Sequence, residues 1–169
     1  MTTAEEIIRF FGMEPLVGEG GYYVESYRAS EKIAQAGLPA RYTGERDFST
    51  AILYLLTDDT FSALHRLSSD EIYHFYLGDP VTMLQLRPEG TSEVIILGQD
   101  ILNEQRVQVT VPKSCWQGCL LNEGGRFALM GTTVAPGFEF GDFELGCREE
   151  LLEQYPKQRD LILKLTRQE

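Results

Sequence analysis

Positive charge is scarce in this chain. Its 169 residues carry 15 Lys and Arg against 26 Asp and Glu, for a formal net charge of −11. An acidic chain with no clustered basic stripe repels phosphate backbones, which argues against nucleic acid as a partner. Cysteine is also sparse. Cys115, Cys119 and Cys147 are an odd set of three, too few and too irregular for a disulfide framework. On a regular strand, rising ~3.3 Å per residue, Cys115 and Cys119 stand too far apart to bond, so buried or idle thiols are expected. No run approaches the ~18 apolar residues of a membrane span. The start, Met1-Thr-Thr-Ala-Glu-Glu6, lacks the basic segment of a signal peptide, and the expected location is cytoplasmic. There is no internal repeat, low-complexity tract or linker. The length suits one domain of the usual ~100–200 residues, so 1–169 is read as a single domain able to bury a core.

What is present is apolar alternation. Thr3-Ala-Glu-Glu6 is a capping-box pattern ahead of Ile7, Ile8, Phe10 and Phe11, and Gly12 can close the short helix, which would lie as a lid on one face. Residues 22–28 read as an aromatic-rich strand entered through Gly20-Gly21. On its two-residue period Tyr23, Glu25 and Tyr27 share one face, and Tyr22, Val24, Ser26 and Arg28 the other. Glu25 and Arg28 are candidate ligand contacts, with a surface ion pair as the plainer alternative. Residues 29–47 read as a loop long enough to cover a pocket mouth. Residues 48–57 are apolar in both alternating sets. This predicts a strand covered on both faces, by a second layer on one side and a helix or partner subunit on the other. Further strands are expected at 61–67, 71–77, 81–86, 93–97, 106–111, 115–121 and 126–134. Turn residues separate them at intervals of roughly eight to twelve, which predicts an all-β sandwich or barrel. From Arg148 the period turns helical, with a break at Pro156.

Residues 62–78 hold both histidines. His65 and Glu71 flank a short turn at Ser68-Ser-Asp70. Read as a hairpin, with cross-strand Cβ atoms about 4.5–5.5 Å apart, this stretch sets His65, Leu67, Glu71, Tyr73 and Phe75 on one concave surface. His65 beside Glu71 is then an acid–base pair, the carboxylate fixing the ring's tautomer. Tyr73, or a tyrosine of the 22–27 strand, is placed to return a proton. A core histidine satisfied by a carboxylate is the competing reading. His74 has the opposite parity to Glu71 and faces away unless a bulge intervenes. Tyr73, Phe75, Trp116 and Phe138 could stack on a ligand or be plain core.

The same residues carry a family resemblance. Asp59, five residues, His65-Arg-Leu67, three residues, Glu71, six residues and Gly78 match the spacing of the first motif of the cupin superfamily. The motif's leading Gly is Asp59 here, and its second His is Leu67. Of its second motif, at Arg106, Pro112, Ser114, Gln117 and Leu121, the proline survives and Gln117 replaces a metal-binding His. Glu19-Gly-Gly-Tyr-Tyr, Glu25-x-Tyr-Arg28, Ser69-Asp-Glu-Ile-Tyr-His-Phe-Tyr, Gly78-Asp-Pro, Trp116-Gln, Val134-Ala-Pro-Gly-Phe and Asp142-Phe-Glu-Leu are similar to the cupin-5 family.

The resemblance implies a single cupin domain, a double-stranded β-helix (jelly roll) with a short N-terminal helix and C-terminal helices. It also implies a pocket inside the barrel, a homodimer, and a fold like that of the metal-independent deoxysugar epimerases of the RmlC type. His65, Glu71 and Gln117 at the metal positions make a weak site for a transition metal, with Cys115 and Cys119 a remote rescue for a soft one. The expectation is therefore a small-molecule-binding pocket without metal or cofactor, in an epimerase or isomerase of a sugar-like substrate. His65 and Tyr73 are its catalytic residues, and Glu71, Gln117, Phe75, Glu25 and Arg28 its ligand contacts. A metal-dependent dioxygenase or isomerase, and a non-catalytic ligand sensor, are the alternatives.

Overall fold

Thr3 opens the first helix, α1 (Ala4–Phe11), in the computed structural model, which describes residues 2–167. The Thr3 hydroxyl accepts from the Glu6 backbone N–H, and the Glu6 carboxylate accepts from that of Thr3, so two orphan donors are satisfied reciprocally. Gly12 ends the helix in the left-handed conformation, at φ 64°.

The strands follow in chain order as β1 (Glu14–Pro15), β2 (Tyr22–Arg28), β3 (Lys32–Ile33), β4 (Arg46–Asp47), β5 (Thr50–Thr57), β6 (Phe61–Arg66) and β7 (Glu71–Gly78). After these come β8 (Val81–Leu86), β9 (Ser92–Leu97), β10 (Gln108–Val111), β11 (Trp116–Leu121), β12 (Phe127–Val134) and β13 (Glu144–Leu145). Helices α2 (Arg148–Gln154) and α3 (Arg159–Lys164) close the described chain, split by a 3₁₀ turn that begins at Pro156. Among the described residues no helix is long and apolar enough to cross a membrane.

Two antiparallel sheets face each other as a jelly roll. One runs β1-β2-β5-β12-β7-β10 and the other β13-β6-β11-β8-β9. Tyr54, Leu56, Tyr73, Phe75, Met83, Cys119 and Met130 meet between them in the main core. The double apolar character of β5 has two causes. Tyr54 and Leu56 enter that core, while Leu55 turns outward to pack with Ile7 and Met13 under α1. On the far side, Leu64, Leu84, Leu86 and Trp116 of the smaller sheet are covered by Leu151, Tyr155, Ile162 and Leu165. Each sheet thus has an apolar cover made from one end of the chain.

Two expectations need correction. First, β6 and β7 do not form a hairpin. The edges of β6 are taken by β11 and β13, and those of β7 by β10 and β12. The turn at residues 67–70 therefore carries the chain from one sheet to the other, and His65 and Glu71 meet across the sandwich interior. Second, the 29–47 segment is not a cover over the pocket. It contains the β3–β4 ribbon, pinned beside the mouth by Arg46, whose Nε and Nη2 donate to the two oxygens of Asp142 at 3.0 and 2.7 Å. Both side chains of this pair are buried.

Removing one partner of a buried, bidentate pair strands the other charge without a counter-ion. Asp142→Ala is expected to destabilise the fold by about 3 kcal/mol in urea unfolding. A change below ~1 kcal/mol would show that Arg46 is solvated or re-paired on losing Asp142.

Candidate functional site

At one end of the sandwich the sheets part around a cavity of about 390 Å³. Its floor is polar and its mouth is aromatic and acidic. His65 reaches the floor from β6. Its Nδ1 lies 2.8 Å from the Ala63 carbonyl. A carbonyl only accepts, so Nδ1 carries the proton of the neutral ring and Nε2 keeps the lone pair. Nε2 stands 3.8 Å from Oε2 of Glu19. The ring stacks on Phe143, with centroids 5.1 Å apart and planes at 25°.

Glu19 is placed by the turn that follows it. Gly20 has φ 112°, and a Cβ there would stand 2.3 Å from the Phe61 carbonyl oxygen, so only glycine lets this turn lie against β6. Ser62 then donates to Oε1 of Glu19 at 2.7 Å. Opposite, on β7, Glu71 accepts from Nε2 of Gln117. Burial raises the Glu71 pKa above the usual carboxylate range. The charge of His65 opposes that rise, that of Glu19 adds to it, and hydrogen bonds from Thr132 and Gln117 oppose it. Gln117 lies beside His65 in the β6–β11 register, and its Oε1 is buried with no hydrogen-bond partner among the described residues.

The cavity gathers some of the residues expected from sequence and not others. His65, Leu67, Glu71, Glu25, Arg28 and Phe138 line it. Gln117 sits behind Glu71 as its donor. Tyr73 and Phe75 have the inward parity of Glu71 but lie two and four residues farther along β7, where the two sheets close into core. Burial raises the Tyr73 hydroxyl well above the ordinary tyrosine pKa. Tyr73 is thus outside the cavity, whereas Tyr23 of β2, on the strand expected as the alternative source of that proton, lines it. Trp116 packs under the C-terminal helices instead, with the Arg66 guanidinium 4.4 Å from its ring. His74 faces away as parity requires, its ring nitrogens meeting Thr133 and Gln108 at 3.2 Å each.

Glu19, Phe140, Phe143 and Thr132 also line the site and carried no expectation. Glu19 had a visible signal, since it heads the Glu-Gly-Gly turn. The tautomer is likewise set by the Ala63 carbonyl and not, as expected, by Glu71.

A jelly roll of this kind raises the question of a metal, and these residues do not fit one. The carboxylate of Glu71 is engaged by the amide N–H of Gln117, Leu67 offers no donor atom, and Nε2 of His65 is left as the single imidazole ligand of the set. Burial pushes the Cys115 thiol up to about 11 and that of Cys119 higher, so neither is a thiolate near neutrality. Among the described residues no three His, Cys, Asp or Glu side chains converge on a point where an ion could sit.

Residues 5–146 match the family Cupin_5, described as Cupin superfamily (DUF985). A structure from Shewanella oneidensis is 38% identical over 100% of both chains, with a TM-score of 0.86. A hypothetical protein from Leishmania major is 28% identical over 99% of this chain and 100% of its own, with a TM-score of 0.86. Oxalate decarboxylase from Bacillus subtilis shares the fold alone. One of its structures is 16% identical, covers 94% of this chain and 39% of its own, and has a TM-score of 0.55. No match was found among curated proteins.

The raised pKa of Glu71 sets a pH dependence. The native state holds this proton more tightly than the unfolded chain, so stability from the group is full below its ordinary value of 4.5 and is lost as pH rises through the higher folded value. Above pH 4.5 the wild type is expected to lose stability relative to Glu71→Gln, which has no charge to bury. Urea unfolding of both proteins across a pH series measures the difference, and a flat difference would show that Glu71 titrates normally.

Proposed function

Because this chain belongs to the Cupin_5 family of the cupin superfamily, we propose that its cavity binds a small organic molecule and transforms it without metal. The reaction class we infer is epimerisation or isomerisation of a sugar-like, carbonyl-activated substrate. The observation that carries this reading is the pinned tautomer of His65. With Nδ1–H held by the Ala63 carbonyl, Nε2 is the basic atom, and it stands at the cavity wall beside Glu19.

In this reading Nε2 takes the proton from the carbon next to the substrate carbonyl. The electron pair passes to the carbonyl oxygen as an enolate, and Glu19, 3.8 Å from Nε2, stabilises the imidazolium that forms. Tyr23 returns a proton to the opposite face of the carbon, which inverts that centre, and solvent resets both groups. Phe143, stacked on the imidazole, keeps the ring in the plane this transfer needs. Gln117 and Thr132 hold Glu71 as an acceptor for substrate hydroxyls.

The test is exchange of the substrate's acidic C–H with D₂O, followed by NMR over a panel of keto- and aldo-sugars. His65→Ala is expected to slow exchange by about 10²-fold or more, and Tyr23→Phe to slow epimer formation more than exchange. Binding without exchange in the wild type would instead make the protein a ligand sensor. Exchange that survives His65→Ala would remove His65 from the chemistry.

A further inference from the structure

The charges around the cavity are unevenly matched. Five carboxylates line it, those of Glu14, Glu19, Glu25, Glu71 and Glu139, against one guanidinium and one imidazole. The guanidinium is already committed. Arg28 donates through Nε and Nη2 to Glu25 and through Nη1 to Asp47 and Glu139, at 2.5 and 3.1 Å. With three carboxylates around it, Arg28 has no charge left over to attract an anionic ligand.

The floor repeats the imbalance where solvent is least able to screen it. Glu19 and Glu71 are 8% and 7% exposed and share a single imidazole. Their like charges act on one another, and even a protonated His65 balances only one of them. Glu19 accepts from Ser62 through Oε1, and its Oε2 lies 3.8 Å from Nε2 of His65. Behind Glu71, Oε1 of Gln117 is a further buried acceptor with no hydrogen-bond partner among the described residues. The floor therefore offers acceptors in excess, which suits a ligand group rich in donors and carrying positive charge.

The walls are suited to the same chemistry. Tyr23, Phe138, Phe140 and Phe143 line the cavity, and Phe140 at the mouth is 63% exposed. The negative face of an aromatic ring attracts an ammonium group and repels an anion. Acidic floor and aromatic wall select in the same direction.

We propose that the ligand of this cavity is a small organic cation, an amine whose ammonium group seats between Glu19 and Glu71 beside His65 while its body lies against Phe138 and Phe140. This rests on reading the cavity as the working site, and it narrows the sugar-like class to amine-bearing members. Phosphorylated sugars, sugar nucleotides and dicarboxylates are excluded by charge. The shared chemistry is the ammonium group, whether on a hydroxylated ring or on a plain hydrocarbon one.

The probes are glucosamine, cyclohexylamine, N-acetylglucosamine and UDP-glucose, each titrated into the full chain. The readout is the ring C–H NMR signals of the two histidines, assigned with His74→Ala. The amines are expected to move the His65 signal and to bind about tenfold or more tightly than the neutral and anionic probes. A preference for glucosamine over cyclohexylamine would assign the hydroxylated source, and the reverse the hydrocarbon one. Glu19→Gln keeps the acceptor for Ser62 and is expected to remove about tenfold of the amine preference. Should that variant not fold, Glu14→Gln at the mouth and the salt dependence of amine binding carry the same test. If UDP-glucose or N-acetylglucosamine moves the His65 signal at equal or lower concentration, the cation proposal is overturned while the pocket reading stands. If no probe moves it, both are overturned.

Discussion

Each turn around the histidine stretch carries the chain from one sheet to the other, and the site depends on that crossing. Residues 57–61 pass from β5 to β6, and residues 66–71 from β6 to β7. Neighbours in sequence therefore face one another across the sandwich instead of pairing side by side. His65 is brought opposite Glu71 at the separation between sheets, about 10 Å between backbones, and not at the spacing of paired strands. That gap leaves room for a cavity. Side-by-side pairing would have closed it with a hydrogen-bonded ladder.

The same geometry decides which side chains meet solvent. Strand parity sends Glu71, Tyr73 and Phe75 to one side, and all three are buried. Depth along the strand then separates them. At Glu71 the sheets are held apart by the chain entering through Glu19 and leaving through residues 138–143, while at Tyr73 they touch. A polar group is tolerated at the first position because Gln117 and Thr132 supply donors there. The second position tolerates a phenol only as a protonated core side chain. The polar floor of the cavity and the apolar core are continuous along a single strand.

This explains what the sequence could and could not disclose. The alternation in residues 50–57 shows that β5 is covered on both faces, because each face buries its own apolar set. The spacing of His65, Glu71 and Gln117 marks the floor, because those positions share inward parity in three strands. Pairing partners are another matter. A two-residue period assigns each side chain to a face and says nothing about which strand lies alongside, so β6 and β7 read as a hairpin. Depth is equally silent, and Tyr73 and Tyr23 cannot be ranked by parity alone. Glu19 reaches Ser62, 43 residues away, through a glycine turn whose shape follows from contact with the Phe61 carbonyl. No local pattern encodes that contact, although the paired glycines show where it occurs.

The replacement at residue 117 has a physical logic of its own. A buried carboxylate is costly unless donors or a cation meet it. An imidazole bound to a metal would leave Glu71 to be met by that metal. A glutamine at the same place meets it directly, since Nε2 donates to the carboxylate and no ion is needed. Leu67 completes the change by turning a ligand position into an apolar wall of the cavity. The two replacements act in the same direction. One removes a donor atom, and the other converts the need of Glu71 for a cation into a hydrogen bond from a neutral amide. That bond neutralises no charge, so Glu19 and Glu71 remain two carboxylates around one imidazole, and the balance is left to whatever enters the cavity.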